Sequence, residues 1–426
     1  MPTIRSLSAL EILDSRGRPT VKTTVELDSG AFGAASVPSG ASTGRSEALE
    51  LRDADPKRYQ GLGCLRAVAN VNGELNDSLA GRSFDQAALD RTMIELDGTA
   101  SKARFGANAL LSVSLAFARA VAAERKAPLY RQFAGIAGLT PRTLPRPTIN
   151  LFSGGKHAGG QVPIQDVLIV PAAARTIAEV LELAYAVYRA AADLAKRRYG
   201  VRELTADEGG LAPPFASVEA MLQDAVGAIE AAGLRPGTDV ALALDVASSH
   251  FYHRDGYHLG ERKLDGSGMI AFLADLVERY PVVSLEDGLA EDDWSHWPQL
   301  HERLAGRTLI LGDDLLCTNP ERIRRAVSAR AADALLLKVN QVGTLTEAAE
   351  AASLARAAGW QVTVSARSGE TEDDWLADLS VGWNGDQIKV GSITQSERLA
   401  KYNRLLEIDR ETGLGLVTWP QKAGNG

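Results

Sequence analysis

Hydrophobic and polar positions follow two different patterns along the chain. In the first third, T-V-K-T-T-V-E-L (residues 20–27) alternates as a half-buried strand does. A-F-G-A-A-S-V (31–37) returns after the turn Asp28-Ser29-Gly30, which predicts a hairpin. N-A-L-L-S-V-S-L-A-F-A-R-A-V-A-A (108–123) has a helical pattern. These elements predict a smaller α+β domain over residues 1–138.

A segment with three prolines separates the two patterns. It runs from Leu139 to Pro147 and reads L-T-P-R-T-L-P-R-P. Prolines at this density interrupt helices and central strands. We therefore predict a domain boundary here, with a second domain over residues 139–426.

The second domain repeats short buried runs, each ending in a charged residue. The runs are V-A-L-A-L-D, V-V-S-L-E-D, T-L-I-L-G-D, A-L-L-L-K, Q-V-T-V-S-A-R and D-Q-I-K-V-G. Each gap between them has room for a helix, and strands that alternate with helices predict a parallel sheet. Six such units predict an α/β fold of the β/α barrel type, a TIM-barrel variant.

In such a barrel the charges at the strand ends converge on one face. The residues concerned are Asp245, Glu286, Asp313, Lys338, Arg367 and Lys389. The three carboxylates form an oxygen-only set, which suits Mg²⁺. We expect Lys338, near cations and another lysine, to favour its neutral form and to remove a proton. The set therefore predicts carbanion formation beside a carboxylate whose developing charge is stabilised by metal.

The stretch V-S-A-R-S-G-E-T-E-D-D (364–374) predicts an anion site. Arg367 offers a guanidinium, Ser368 a hydroxyl, and Gly369 lets the backbone approach closely.

Composition narrows the class of protein. The chain has 426 residues, of which 45% are hydrophobic and 23% charged, as in soluble globular proteins. Its net charge of −8 argues against nucleic acid as a partner. Two cysteines suit a reducing compartment. The N-terminus lacks a signal-peptide pattern and the apolar stretch around Leu110–Ala123 looks too short for a membrane span, so we expect a cytoplasmic protein.

Taken singly, these residues have simpler interpretations. A strand-end acid is usually solvated or caps a helix. Asp207-Glu208-Gly209-Gly210 alone predicts a turn, and His157 alone a loop histidine. A zinc site of His250, His253 and His258 is another alternative, although no cysteine cluster accompanies them. The ordered series of acids followed by lysines is what favours the catalytic interpretation.

Long motifs resemble the enolase family over nearly the whole chain. They are E-I-L-D-S-R-G-R-P-T, V-P-S-G-A-S-T-G, E-A-L-E-L-R-D, G-A-N-A-L-L, D-E-G-G, S-L-E-D-G, G-D-D-L, L-L-L-K-V-N-Q-V-G-T-L-T-E, R-S-G-E-T-E-D and R-L-A-K-Y-N. The resemblance implies an enolase-type barrel that begins with a hairpin and helices. It also implies a lyase that removes water from 2-phosphoglycerate with two Mg²⁺ ions.

The resemblance also implies roles for particular residues. Asp245, Glu286 and Asp313 would bind the first Mg²⁺, and Ser42 would contribute to the second as its loop closes. Lys338 would abstract the C2 proton and Glu208 would protonate the departing hydroxyl. The residues implied in substrate binding are His157, Gln165, Asp166, Arg367, Ser368 and Lys389. Of these, Lys389 would hold the carboxylate, Arg367 and Ser368 the phosphoryl group, and Asp166 would belong to the group that assists Glu208.

Four positions depart from the family pattern. Ala366 stands where enolases usually have histidine, and Asp166 where they usually have glutamate. Gly159-Gly160 replaces Asp-Asn after His157-Ala158, and Trp383-Asn384 introduces bulk before the Lys389 strand. Three of the four changes give smaller side chains, while the metal and proton-abstraction set is retained.

We interpret these changes as a sign of a modified substrate. Relatives in phosphinothricin-type antibiotic biosynthesis, the carboxyphosphonoenolpyruvate synthases, act on an analogue with a carboxyl group on phosphorus. Ala366 would give that group room and would be the specificity residue. The alternative is an ordinary glycolytic enolase making phosphoenolpyruvate from 2-phospho-D-glycerate. A non-enzymatic binding or structural role is disfavoured because the metal ligands are intact. The expected partners are a phosphorylated or phosphonylated glycerate and a second copy of the chain, with no nucleic acid and no membrane.

Overall fold

The computed structural model describes residues 1–41, 44–201 and 203–420. Ser42, which the resemblance implies as a ligand of the second metal, lies outside these ranges.

A three-stranded antiparallel sheet opens the chain. Its strands are β1 (Ile4–Leu13), β2 (Pro19–Leu27) and β3 (Phe32–Ser36), in that order. The predicted hairpin is confirmed as β2 and β3, joined by the turn that contains Gly30. The sequence pattern did not identify β1, whose solvent-facing side breaks a simple alternation.

Helices cover one face of this sheet. They are α1 (Leu65–Asn70), a π-helical segment (Val71–Leu75), α2 (Asn76–Leu79), α3 (Gln86–Asp97), α4 (Ala107–Glu124) and α5 (Leu129–Ile136), preceded by a 3-10 turn at Tyr59–Gly61. The predicted helix is confirmed as α4. Gly33 lets β3 approach it, because an added Cβ would lie 2.3 Å from the Ala120 amide nitrogen.

The expectation that the α4 stretch is too short for a membrane span needs correction. Its 18 residues satisfy the length and hydropathy of a candidate span. However, 83% of that window is buried inside the fold. The core helix of a globular domain can have the same length and hydropathy as a membrane span.

Eight strands close the barrel of the second part of the chain. They are β4 (Arg146–Ser153), β5 (Asp166–Val170), β6 (Ala241–Asp245), β10 (Val282–Glu286), β11 (Leu309–Gly312), β12 (Ala334–Leu337), β13 (Gln361–Ser365) and β14 (Gln387–Gly391). All six strands predicted from the pattern are confirmed. The small antiparallel sheet β7 (Tyr252–His253), β8 (Gly256–Leu259) and β9 (Arg262–Leu264) follows β6.

Helices surround the barrel in the gaps between its strands. They are α6 (Ile177–Tyr199), α7 (Val218–Ala231), α8 (Gly266–Arg279), α9 (Trp297–Leu304), α10 (Pro320–Ala329), α11 (Leu345–Ala357), α12 (Trp375–Gly382) and α13 (Ser396–Thr412). Short 3-10 turns lie at Gly155–His157, Ser248–His250 and Val339–Gln341.

One strand runs against the other seven. β5 is antiparallel to both β4 and β6, whereas the remaining neighbours in the barrel are parallel. The first residue of β5, Asp166, therefore pairs with the last residue of β6, Asp245. The reversal brings an additional carboxylate to the face where the other strands end.

Candidate active site

A small polar cavity lies at the carboxyl ends of the barrel strands. Its volume is about 30 Å³, which is roughly one water molecule's share of liquid volume. Its walls include most of the predicted site. They are formed by Ala41, His157, Gln165, Glu208, Asp245, Ala247, Asp287, Asp313, Asp314, Lys338, Ser365, Ala366, Arg367, Ser368 and Lys389.

Lys389 joins two of the predicted metal ligands. Its Nζ lies 2.8 Å from Asp245 Oδ2 and 2.6 Å from Glu286 Oε2. Burial raises the pKa of Asp245, but attraction to Lys389 outweighs it and the net shift is downward. Burial and repulsion from Asp245 raise the pKa of Glu286 well above its usual value. One ammonium therefore keeps one of the two carboxylates ionised but does not compensate both.

Lys338 contacts the third predicted ligand, Asp313. Burial lowers the pKa of Lys338, but Asp313 together with other carboxylates such as Glu286 outweighs burial, and the net shift is upward. The direct ion pair with Asp313 stabilises the protonated form of the amine in this arrangement. Gln341 Nε2 donates to the other carboxylate oxygen, Asp313 Oδ1, at 2.9 Å and fixes its orientation.

The donor set fits a divalent cation of the Mg²⁺ type. The three carboxylates offer only oxygen atoms, which Mg²⁺ prefers. Glu286 Oε1 and Gln165 Oε1 are buried and, among the described residues, have no hydrogen-bond partner. A bound cation would supply the positive charge that these carboxylates lack and would contact the unpaired buried oxygens.

Neighbouring acids add to the negative charge. Asp287, Asp313 and Asp314 bring carboxylate oxygens within 4.8 Å of one another. Asp287 also accepts the backbone N–H groups of Asp313 and Asp314, at 3.0 and 2.7 Å. Burial and repulsion from Asp313 raise the pKa of Asp314 to about 7. This group does not coincide with the predicted trio, in which Asp245 and Glu286 contact Lys389 instead.

Asp166 holds His157 rather than assisting Glu208 directly. Its Oδ2 lies 3.0 Å from His157 Nδ1, and its Oδ1 accepts the Ser153 hydroxyl at 2.6 Å. Burial lowers the pKa of His157, but Asp166 outweighs it and raises the pKa to about 9. The side chain at position 166 thus holds the imidazole of His157, which in turn lies beside Glu208.

Glu208 is ionised in this arrangement. Asn150 Nδ2 donates to its Oε2 at 3.0 Å, and His157 Nε2 lies 4.0 Å from its Oε1. Burial raises the pKa of Glu208, but His157 and other cations outweigh it and lower the pKa to about 2. The opposite pKa shifts of Glu208 and His157 favour the proton on His157 in this arrangement.

Arg367 is fixed by residues that the sequence analysis did not assign to the site. Glu47 accepts from both its terminal nitrogens, at 3.0 and 3.2 Å. Asn340 Oδ1 accepts a further hydrogen bond at 3.0 Å. Glu47 lies in the motif E-A-L-E-L-R-D. Its charge within that motif was the only feature of the sequence that could have assigned it to the site.

Ser368 lies next to Arg367 in the cavity wall and is held by two other residues. Its Oγ accepts from Arg16 Nη1 at 3.1 Å and from the Ala41 N–H at 2.8 Å. Arg16 belongs to the motif D-S-R-G, so the first domain completes the anion side of the barrel site.

Ala366 and Trp383 have different positions relative to the cavity. The Ala366 side chain is buried in the wall, and its backbone N–H donates to the Lys389 carbonyl at 2.8 Å. Trp383 does not line the cavity. Its Nε1 donates to the Phe133 carbonyl at 2.9 Å, so the added bulk packs against α5.

The three histidines considered for zinc do not form one cluster. His250 lies near the candidate site, where burial and Lys156 lower its pKa to about 4 against the opposing effect of Asp245 and Asp313. His253 and His258 are on adjacent strands with ring centroids 4.6 Å apart, and His258 contacts Asp255. Over residues 1–41, 44–201 and 203–420, the metal-compatible clusters are His157-Asp166-Glu208 and Asp287-Asp313-Asp314. The zinc interpretation therefore has no geometric support within those ranges.

Comparison with protein families agrees with the fold. The family described as the enolase N-terminal domain matches residues 4–133. The family described as the enolase C-terminal TIM barrel domain matches residues 141–419. The chain belongs to the enolase family and is a carbon–oxygen lyase of the enolase type.

Proposed function

We propose that this enzyme removes water from a 2-phosphoglycerate analogue that carries a carboxyl group on phosphorus. The product is carboxyphosphonoenolpyruvate. The observation that carries the proposal is Ala366, whose methyl group lines the cavity beside Arg367 and Ser368. A histidine there would add an imidazole to the wall next to the phosphorus end of the substrate. Removal of that side chain leaves room for a further carboxylate.

Lys338 is the proposed base for the C2 proton. It lies at the end of β12 with its amine against Asp313, within a ring of carboxylates. Substrate binding must separate this ion pair, because a protonated amine cannot accept the C2 proton. Lys389, in the middle of β14, provides a buried cation for the substrate carboxylate.

The oxygen-only set Asp245, Glu286 and Asp313 would hold one Mg²⁺, and Ser42 is proposed for a second. A cation held there stabilises the charge that develops on the substrate carboxylate as C2 loses its proton. The two-ion stoichiometry and the ligand assignment are part of the proposal.

The His157–Glu208 pair is proposed to protonate the departing hydroxyl. His157 carries the proton, and Asp166 keeps its ring in position through Nδ1. Glu208 Oε1 lies 4.0 Å from Nε2 of the same ring, so the two groups attract each other electrostatically without a direct hydrogen bond. A positioned acid of this kind contributes about 10²- to 10⁴-fold to a rate.

The second candidate function is that of an ordinary enolase, which converts 2-phospho-D-glycerate to phosphoenolpyruvate. It is favoured by the retained groups Lys338, Glu208, Arg367 and Ser368, all of which line the same cavity. The two candidates share every chemical step and differ only in the group on phosphorus.

Parallel turnover of the two substrates by purified protein with Mg²⁺ distinguishes the candidates. We expect the carboxyphosphono substrate to be converted and 2-phosphoglycerate to be converted poorly. Efficient conversion of 2-phosphoglycerate alone would establish the ordinary enolase. Conversion of neither substrate would contradict both.

We further propose a cytoplasmic homodimer that acts in the biosynthesis of a phosphinothricin-type antibiotic. The support is the family resemblance together with the substitution at residue 366. The mass of the protein in solution, measured by light scattering, tests the dimer independently of turnover.

A further inference from the structure

The hydroxyl of Ser368 receives two hydrogen bonds from the first domain. Arg16 Nη1 donates to Oγ at 3.1 Å, and the backbone N–H of Ala41 donates to the same atom at 2.8 Å. Ser368 is buried and lines the cavity between the domains.

These two contacts determine what the hydroxyl can do. A serine hydroxyl has two acceptor positions and one hydrogen to donate. Two N–H donors occupy both acceptor positions, so the hydroxyl hydrogen must point elsewhere. Ser368 faces the cavity, and the acceptor available to that hydrogen is an oxygen atom of a bound ligand.

Arg16 is held firmly enough to enforce this arrangement. Its Nη2 donates to Asp14 Oδ2 and to the Ser39 carbonyl, each at 3.0 Å. The Arg16 and Asp14 side chains are 6% and 0% exposed. Gly369 packs so closely that an added Cβ would lie 2.2 Å from Asp14 Oδ2 and 2.3 Å from Arg16 Nη2. The guanidinium therefore has little freedom to turn away from Ser368.

We propose that Arg16 is a positioning residue that makes the Ser368 hydroxyl an obligatory donor to oxygen atoms on phosphorus. The inference rests on the proposed function, in which Ser368 and Arg367 face the phosphorus group. Ionised phosphoryl and phosphonyl oxygens are acceptors only, and they match a wall whose hydroxyl can only donate. Arg16 acts through Ser368 and does not itself line the cavity.

The test is a double-mutant cycle on ligand binding and turnover. Arg16→Gln, Ser368→Ala and the double variant are compared with the wild type, with inorganic phosphate and phosphoenolpyruvate as calorimetric probes. We expect Arg16→Gln to weaken binding and to raise KM by about tenfold. We expect kcat to change less, because the chemistry at C2 is remote from this contact. In the Ser368→Ala background the same substitution should change affinity by less than about twofold.

Two controls separate positioning from folding. Arg18→Gln alters an exposed arginine two residues along the same turn and should leave affinity unchanged. Arg16→Lys retains charge and an N–H donor, and should restore part of the affinity lost in Arg16→Gln. Equal losses of affinity with and without Ser368, or a fall in kcat alone, would overturn the inference.

The outcome is distinguishable from failure of the proposed function. If the wild type converts either phosphorus substrate but the cycle shows no coupling, only the role of Arg16 is wrong. If the wild type converts neither substrate, the proposed function fails. Failure of the wild type to bind either probe would overturn the inference as well.

Discussion

The two candidate substrates require side chains of different size at residue 366. Its methyl group lines the cavity next to Arg367 and Ser368. We predict that Ala366→His increases turnover of 2-phosphoglycerate and decreases turnover of the carboxyphosphono substrate, because the imidazole occupies the space for the added carboxylate. A preference change of about tenfold or more is expected from a lost fit of this kind. Steady-state kcat/KM for both substrates measures it.

A smaller substitution provides the matched control at this position. Ala366→Ser adds one hydroxyl to the wall and should leave the order of preference as it is in the wild type. An unchanged preference in Ala366→His would remove residue 366 from the account of specificity.

His157 owes its protonation state to Asp166. Burial alone lowers the pKa of His157, whereas Asp166 raises it to about 9. We predict that Asp166→Asn lowers the His157 pKa from about 9 towards the ordinary 6.5, because burial is then opposed only by Glu208 and Asp245. Titration of the imidazole resonances by NMR measures the shift. Asp255→Asn, next to the partly exposed His258, should leave the His157 pKa unchanged.

The same shift gives a pH dependence of stability. A folded-state pKa raised from 6.5 to about 9 means that the native protein binds this proton more tightly than the unfolded chain. The contribution of the pair is therefore fully present below pH 6.5 and is lost as pH rises through about 9. A free energy of unfolding that rises over this range in the wild type, relative to Asp166→Asn, would contradict the assignment.

At the scale of elements, the order of charged strand ends was the most informative feature of the sequence. Each of the six predicted strands is a short apolar run with a charged residue at or near its carboxyl end, so its position could be derived from the pattern. β5 could not be derived in this way. It runs in the opposite direction, and its charged residue, Asp166, begins the strand.

A buried carboxylate connects a helix of the first domain to a helix of the barrel. Asp90 in α3 accepts the N–H and the hydroxyl of Thr346 in α11, at 3.0 and 2.6 Å. We predict that Asp90→Ala destabilises the protein by about 1–3 kcal/mol, because an amide in the first turn of α11 loses its partner in a buried setting. Urea unfolding measures the change.

An exposed residue of the same helix, α3, provides the control for Asp90→Ala. Glu95→Ala replaces an exposed residue of α3 and should change stability by less than about 0.5 kcal/mol. If both variants lose the same stability, the loss does not come from the contact with α11, since alanine itself favours the helix.

At the scale of the whole molecule, the site depends on contacts between distant parts of the chain. Glu47 meets Arg367 across 320 positions, and Arg16 meets Ser368 across 352. No periodicity or local spacing encodes such pairs, since they depend on how the two domains pack. The strand-end charges were predictable because the barrel itself brings them together. The ion pairs that compensate those charges, such as Lys338 with Asp313, were not predictable from the sequence.

Cation binding should stabilise the folded protein. We predict that Mg²⁺ added after chelation raises the midpoint of thermal unfolding, because the folded chain binds it and the unfolded chain does not. The stabilisation is about 2.7 kcal/mol at a free concentration one hundred times the Kd. Glu286→Gln should reduce the Mg²⁺ dependence, whereas Glu302→Gln, an exposed change in α9, should not. Equal Mg²⁺ responses in both variants would contradict the ligand assignment.

The central claim is that Lys338 takes the proton from C2. Exchange of that proton with deuterium, followed by NMR in heavy water with Mg²⁺ and whichever phosphorus substrate the wild type converts, tests it most directly. We predict rapid exchange in the wild type and in Lys263→Ala, an exposed lysine that contacts Asp255. We predict a loss of at least about 10²-fold in Lys338→Ala. Exchange that continues at the wild-type rate in a folded Lys338→Ala protein would contradict the account.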